Sequence, residues 1–437
     1  MTENWNVSLN INASFVNGSK IIGKDIIYTG NEETLYKSGN ITVIGNAKIY
    51  NELELWKIIK DPLEIELPKS GHSLHILVEL YRKFGYEDML ELLEGDFSFL
   101  LLDYNIYGEE SWLYIARDPF GIYPFYSYEY PNHESKKVQF ELETKQFGFS
   151  SAEYVDNNTY RSYIAGSYQR FSHSFKVSAV WKHNYRPRTF YKLPFFSIYN
   201  EDDEREKTED EREKTENEKR KQITNAIKKR MNWISYTNIP TMKDMKIKIG
   251  VLSLNPMHTN DSYFDMFKKS IQKNMDQNPN LEYVQVMPEM IQNEDNSSVF
   301  EWSKITSFSE DNEKKYDMNF ILQIEYIEKE YPTIITRLKQ LLNSNDPYII
   351  RSYFIPMIFA KYLSDHLTEV KHVFLAEPFT YDWIDKTYLE RRKRITQIYT
   401  DDNLKGWTQI FLSFGIHLYM PFLDRVLIQN IKPNGLI

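Results

Sequence analysis

Four places in the sequence have residue types and spacings that could do chemistry. Thr2, once Met1 is removed, carries a hydroxyl beside a free α-amine, the pairing that lets an N-terminal threonine act as nucleophile with its own base. His72 and His75 stand three apart, a helix-face spacing that a metal could bridge. Ser253, Asp261 and Ser262 follow the apolar run 246–252, in a loop that leads to the start of a candidate helix, where backbone N–H groups can hold an anion. Glu377 lies in a second such loop, after Val373-Phe374-Leu375. Each also has an ordinary reading. Thr2 with Glu3 and Asn4 reads as an exposed terminus, and the histidine pair, with no third ligand nearby, as surface. Pro256 removes an N–H from its loop, so Asp261 reads as the N-cap of the helix that follows. Glu377 reads as a cap or helix-dipole partner.

These residues need elements to hold them. Phe97 to Leu102 and Trp112 to Ala116 are continuous apolar runs of strand length, each closed by turn chemistry. Asp103-Tyr104-Asn105 with Gly108 closes the first, and Asp118-Pro119-Phe120-Gly121 the second. With Tyr123 to Tyr130 and Val138 to Glu143 as further strands, an antiparallel meander is expected. Helices are expected over 52–60, 72–84, 223–234, 263–273, 320–342 with a break at Pro332, and 349–367. The stretch 246–252 reads as a parallel-sheet strand, and Val373-Phe374-Leu375 as a second buried strand. Between the halves, the heptad Asp203-Glu204-Arg205-Glu206-Lys207-Thr208-Glu209 repeats unchanged at 210–216. It has no apolar face, so it reads as a solvated helix or an unpacked insertion and the first site of proteolysis.

Composition excludes several classes. The 437-residue chain has room for two or three cores. Its net charge of -9 gives no footprint for nucleic acid. The aromatic, basic stretch from Tyr168 to Phe196 therefore reads as a surface crossing between domains rather than a single-strand binding face. No apolar run reaches a membrane span, and the start lacks the regions of a signal peptide. The absence of cysteine excludes disulfides, cysteine metal sites and thiol nucleophiles, and fits a reducing compartment.

The residues also carry a resemblance. Gly95-x-Phe97-x-Phe99 with Asp103, then Ala116-Arg117-Asp118-Pro119-Phe120-Gly121-Ile122-x-Pro124-x-Tyr126, resembles the core of the glutamine amidotransferase domain of asparagine synthetases. Asn46, Ile49, Tyr50 and Asn51 match the family's Asn-Gly-Glu-Ile-Tyr-Asn, whose Asn and Gly build an oxyanion hole and whose Glu helps hold the substrate's amino group. Ala47 and Lys48 replace the Gly and the Glu, and His72-Ser73 stands where the family has Ser-Asp. The family's N-terminal Cys and its His-Arg-Arg-Leu carboxylate clamp have no counterpart. Further on, Gly250-Val251-Leu252 matches the strand before the family's Ser-Gly-Gly-x-Asp-Ser-Ser loop, but residues 253–262 lack both glycines. Tyr331 to Ile335 and Asp346 to Ser352 resemble synthetase helices. Glu377 matches an active-site glutamate, while Thr380 stands at a metal-binding aspartate. Gly415 to Asp424 resembles Gly-x-Glu-x-Arg-x-Pro-Phe-Leu-Asp with His417 and Tyr419 at the Glu and Arg, and the chain ends before the region of the family's catalytic lysine.

The resemblance implies an α+β Ntn-hydrolase-like amidotransferase sandwich over 1–195, a charged linker over 196–220, and an α/β adenine-nucleotide-hydrolase-like synthetase domain over 221–437 with strands 246–252 and 370–375 in one parallel sheet. With the chemical positions changed in both halves, the expectation is a pseudoenzyme with a structural or interaction role. Asn46, Glu377 and Thr2 are its vestigial catalytic candidates, and Ser253, Asp261 and Ser262 a vestigial nucleotide loop. No cofactor or metal is expected, ATP and Mg²⁺ entering only for an amide-forming synthetase that dispenses with glutaminase. A binding module with a pocket between the domains is the third class. The expected partner is an unidentified protein, with homodimerisation open and neither nucleic acid nor membrane favoured. The Asn-, Ile-, Lys- and Tyr-rich composition suits a large DNA virus, so the expected location is the cytoplasm, or the virion if the source is viral.

Overall fold

The computed structural model describes residues 5–9, 20–23, 26–30, 32–59, 73–104, 110–129, 147–151, 159–163, 165–174, 178–183, 188–189, 209–237, 247–252, 262–277, 281–287, 318–321, 324–342, 345, 347–375 and 403–424. The chain divides into two units, Met1–Lys192 with Thr396–Lys405, and Leu193–Ile395 with Gly406–Ile437.

The strands of the first unit are β1 (Trp5–Leu9), β2 (Lys20–Gly23), β3 (Ile26–Gly30), β4 (Leu35–Ser38), β5 (Ile41–Ile49), β6 (Gly95–Asp103), β7 (Glu110–Arg117), β8 (Tyr126–Glu129), β9 (Phe147–Ser150), β10 (Thr159–Ser162), β11 (Ser167–Ser174), β12 (Ser178–His183) and β13 (Arg188–Thr189). They form two antiparallel sheets, one ordered β10-β8-β9-β1-β3-β2 and the other β12-β11-β7-β6-β5-β4, with β13 on β11. Side chains alternate along a strand, so β5 and β6 serve two cores at once. Ile44, Leu100, Leu102, Leu113 and Ile115 pack between the sheets against Ile26, Tyr28, Phe125 and Phe149. Val43, Ile49, Phe97, Phe99 and Leu101 pack on the outer side, against the helices. Burial on both faces is why these strands read as unbroken apolar runs.

Three helices cover that outer side: α1 (Glu52–Ile59), α2 (Ser73–Phe84) and α3 (Tyr86–Leu92). The expected stripe of α2 is buried at Leu74, Ile76, Leu77 and Leu80. The short helix α3 was not expected; it buries Tyr86, Met89 and Leu90.

The expected meander ends after two strands. β6 and β7 pair as a hairpin, with Phe99 opposite Ala116. The free edge of β7 is then taken by β11, with Tyr168 opposite Ala116. The chain therefore turns out of this sheet after Arg117 and starts β8 in the other, where β8 pairs with β9 and β10. The proposed strand at 138–143 lies outside the described residues.

The second unit is built on a parallel sheet. Its elements are α4 (Glu209–Thr237), β14 (Ile247–Leu252), α5 (Ser262–Gln277), β15 (Leu281–Met287), β16 (Met318–Ile321), α6 (Ile324–Leu341), α7 (Pro347–His366), β17 (Val370–Leu375), α8 (Asn403–Leu412, from Gly406 on) and β18 (His417–Tyr419). The strand order is β16-β15-β14-β17-β18, all parallel, so the two strands expected in one sheet are neighbours in it.

Three expectations for helices are corrected here. Phe320 and Ile321 belong to edge strand β16, and the helix begins only at Ile324. Short apolar runs fit either period, which is why this boundary was misread. The helix also runs through Pro332 instead of breaking there: burial of Ile334 and Leu338 outweighs the lost N–H bond. Helix α4 starts at Glu209, well before the expected start at Ile223, so the second heptad copy forms its first turns. Its later turns bury Ile223, Ala226, Ile227, Met231 and Ile234. Among the described residues, no helix is long and apolar enough to cross a membrane.

Candidate functional site

The crossing between the two sheets is a knot built on two adjacent side chains. Asp118 Oδ1 accepts the backbone N–H groups of Phe120 (2.9 Å) and Ile122 (3.1 Å), and Oδ2 that of Tyr123 (3.3 Å). Its carbonyl accepts Gly121 and Gly166 N–H. Arg117 donates from Nε to the Tyr123 carbonyl (3.0 Å) and from Nη2 to that of Gly121 (2.6 Å). Its Nη1 reaches the Tyr163 carbonyl (2.5 Å) and the Ser162 hydroxyl (3.2 Å). Gly121 has φ +66, and a Cβ there would lie 3.0 Å from the Arg117 guanidinium, so the turn requires glycine.

Beside this knot the face between the sheets changes from apolar to polar. Asn46 lies opposite Ser98 and Lys48 opposite Asp96 in the β5–β6 ladder, and Ser98 lies opposite Arg117 in the next. The period of two puts Asn46, Lys48, Asp96, Ser98 and Arg117 on the face that Ile44 and Leu100 share further along. Lys48 and Asp96 are each 2 % exposed, Asn46 7 % and Asp118 fully buried. Tyr50 donates its hydroxyl to Asp96 Oδ2, and Lys48 Nζ lies 5.3 Å from the centroid of the Tyr123 ring. Burial pushes the Asp118 carboxyl up to about 7, helped by the Asp96 carboxylate and opposed by Arg117 and the N–H groups of Ile122 and Tyr123. The pairing of β5 with β6 is itself tight: a Cβ on Gly95 would fall 2.0 Å from the Lys48 carbonyl oxygen.

The other sequence candidates of this unit have structural duties. Asn51 donates to the Leu92 carbonyl (2.9 Å) and accepts the Glu94 N–H (3.1 Å), fixing the entry to β6. Ser73 donates to Glu52 Oε2 (2.9 Å) and accepts the Ile49 N–H (3.1 Å), while Trp56 Nε1 donates to Glu52 Oε1 (3.3 Å). Position 73 thus meets a buried carboxylate supplied by α1, which sequence reading missed. His75 packs against the rings of Tyr36 (4.7 Å) and Trp56 (5.2 Å). His72 and Thr2 lie outside the described residues.

In the second unit, Leu252 and Leu375 end neighbouring strands in register. The loops bearing the sequence candidates leave from there, but Ser253, Asp261 and Glu377 lie outside the described residues. Ser262 is the first residue of α5. The segment from Pro421 to Asp424 is held by charge. Asp424 pairs with Arg230 Nη1 (3.2 Å) and Lys229 Nζ (3.8 Å), tying the chain after β18 to α4. His417 and Tyr419 enclose a buried ring set with His372: His372 Nδ1 and Tyr419 Oη are 2.9 Å apart, and the two imidazoles stack at 5.6 Å.

Residues 24–147 match the family model of the glutamine amidotransferase domain, a span that holds Asn46, Lys48, Asp96 and the whole Arg117 knot. The chain is also 31 % identical over 99 residues to a glutamine-hydrolysing asparagine synthetase of Arabidopsis thaliana, covering 22 % of this chain and 16 % of that protein. This chain is related to the asparagine synthetases. A probable asparagine synthetase of Acanthamoeba polyphaga mimivirus is 29 % identical over 194 residues, 43 % of this chain and 31 % of its own length. The Bacillus subtilis asparagine synthetase 1 is 26 % identical over 199 residues, 41 % and 29 %. The matched spans therefore cover less than a third of each of these relatives. For the amidotransferase-like unit, the domain match agrees with a mixed α/β, Ntn-hydrolase-like fold.

Proposed function

We propose that this asparagine-synthetase relative is catalytically inactive and serves as a structural or interaction protein. The observation that carries the reading is Lys48: a buried ammonium stands across the ladder from Asp96, on the same face as Asn46. The polar end of the sandwich carries four of the chain's own charged side chains, all buried: Lys48, Arg117, Asp96 and Asp118. The chain also has no cysteine to act as nucleophile. The test is ammonia release from glutamine by the full chain. None above buffer is expected, and Thr2→Ala should change nothing. Glutamine-dependent release that Asn46→Ala abolishes would overturn the reading.

A second reading is favoured by one feature of the parallel sheet. Its strands follow the order 3-2-1-4-5, which reverses between β14 and β17, and doubly wound sheets bind ligands in the crevice at such a switch point. The loops after Leu252 and Leu375, which carry Ser253 and Glu377, begin on either side of it. On this reading the unit binds a small molecule without turnover; an amide-forming synthetase would in addition release pyrophosphate. Millimolar Mg·ATP, with or without aspartate, is expected to leave the melting temperature unchanged. Saturation near 100 times a dissociation constant would stabilise the chain by ~2.7 kcal/mol, a shift of several degrees. A shift without pyrophosphate favours the binding module. Pyrophosphate release lost in Glu377→Gln favours the synthetase.

The remaining parts of the proposal are a cytoplasmic location, a protein partner and independent units of about 1–195 and 221–437 joined by the charged segment 196–220. Limited proteolysis cutting first inside 95–126 would overturn that division.

A further inference from the structure

We infer that Lys48 is a built-in occupant: its side chain fills a hollow in the amidotransferase-like unit matched to one primary alkylammonium ion, which the emptied hollow would bind from solution. This rests on the reading of that unit as non-catalytic and says what closes its polar end.

The hollow is defined from several elements. Asp96 on β6 lies directly opposite Lys48 on β5, a relation that brings the two Cβ atoms within about 5.5 Å. The Tyr50 hydroxyl donates to Asp96 Oδ2, which holds that carboxylate in place. The Tyr123 ring lies 5.3 Å from Lys48 Nζ, within the range of a cation–π contact. Asp118, in the turn before Tyr123, lies close enough to Asp96 to feel its charge. Arg117 directs Nε, Nη1 and Nη2 to carbonyl oxygens and the Ser162 hydroxyl, and ties the turn. Lys48 is a buried cation on the residue directly opposite Asp96 in the ladder. A carboxylate on one side and an aromatic face on the other make a receptor for an ammonium head, and the stem of Lys48 fills the approach. Beyond Cβ the missing atoms in Lys48→Ala are three carbons and a nitrogen, the atoms of n-propylammonium.

The test is thermal unfolding of full-length Lys48→Ala with n-propylammonium chloride, 1-propanol or sodium chloride at equal concentration. The variant should melt lower than the parent chain. Propylammonium at ten times its dissociation constant should restore about 3–5 °C, and the other two solutes much less. The parent chain should not respond to propylammonium beyond its response to sodium chloride. Equal rescue by propanol, or no rescue, would overturn the inference. If Lys48→Ala does not fold, Lys48→Met keeps the stem and removes the charge. Adding Asp96→Asn should then recover part of the lost melting temperature, whereas additive losses would overturn the inference. Failure of rescue in a chain inert toward glutamine would sink this inference alone. Glutamine hydrolysis by the parent chain would instead overturn the reading beneath it.

Discussion

Asp118, inside the span matched to the amidotransferase family, and Asp424, in the second unit, are both buried aspartates, yet they are solvated by the protein in different ways. Asp118 draws three backbone N–H groups from the five residues after it and stands close to another carboxylate. Asp424 pairs with Arg230, which is 1 % exposed and 194 residues earlier in the chain. One aspartate shapes a local turn; the other closes a long-range contact with a full counter-charge. Equal burial does not imply equal chemistry. Burial, helped by the Asp96 carboxylate and only partly offset by the N–H donors, leaves Asp118 able to take up a proton near neutrality, while the Asp424 pair depends on both charges being present.

The largest expected effect comes from breaking the long-range pair. Asp424→Ala leaves the Arg230 guanidinium buried without its carboxylate and should cost about 3–5 kcal/mol, read by urea unfolding. Replacing both partners with apolar residues should recover much of that loss. Asp118→Ala removes the acceptor of three buried N–H groups and should cost about 3 kcal/mol. Asp118→Asn sharpens the contrast through pH. The folded-state pKa of Asp118 is raised to about 7, so the folded chain holds its proton where the unfolded chain has lost it. This group's contribution is therefore full below about pH 4 and is lost as pH rises through about 7. In Asp118→Asn that decline should disappear from the pH dependence of the urea midpoint; an unchanged slope would contradict the assignment. The smallest effect is expected at Ser73→Ala, about 1 kcal/mol, because Glu52 keeps its bond from Trp56.

Much of the framework was legible in the sequence. Strands β6 and β7 and the α2 stripe follow from apolar runs and turn residues, and the shared sheet of β14 and β17 from the order of the family-like motifs; that the two strands are neighbours did not. The exchange of sheets after Arg117 was not, because Pro119 and Gly121 suit a hairpin and a crossing equally well. Helix α3 is too short for periodicity to register. At the site, Asn46 and Lys48 stood out by their positions, but Asp96 did not. Its place opposite Lys48 depends on the register between strands 48 residues apart in number, Lys48 and Asp96, which local patterns do not reveal. Glu52 was likewise hidden, since a glutamate in a first helical turn is ordinary until Ser73 folds back onto it.

The order of strands in the parallel sheet also has a consequence during synthesis. β14 begins at Ile247, and its neighbour β17 only at Val370. At ribosomal rates of about 5–20 residues per second, roughly 120 residues of translation hold one edge of the central strand open for about ten seconds. That edge carries Ile249 and Val251, apolar and ready to pair with any extended chain it meets. The nascent second unit is most vulnerable to misassembly in that interval, so a ribosome paused between the codons for residues 287 and 370 should raise aggregation more than one paused anywhere in the first unit.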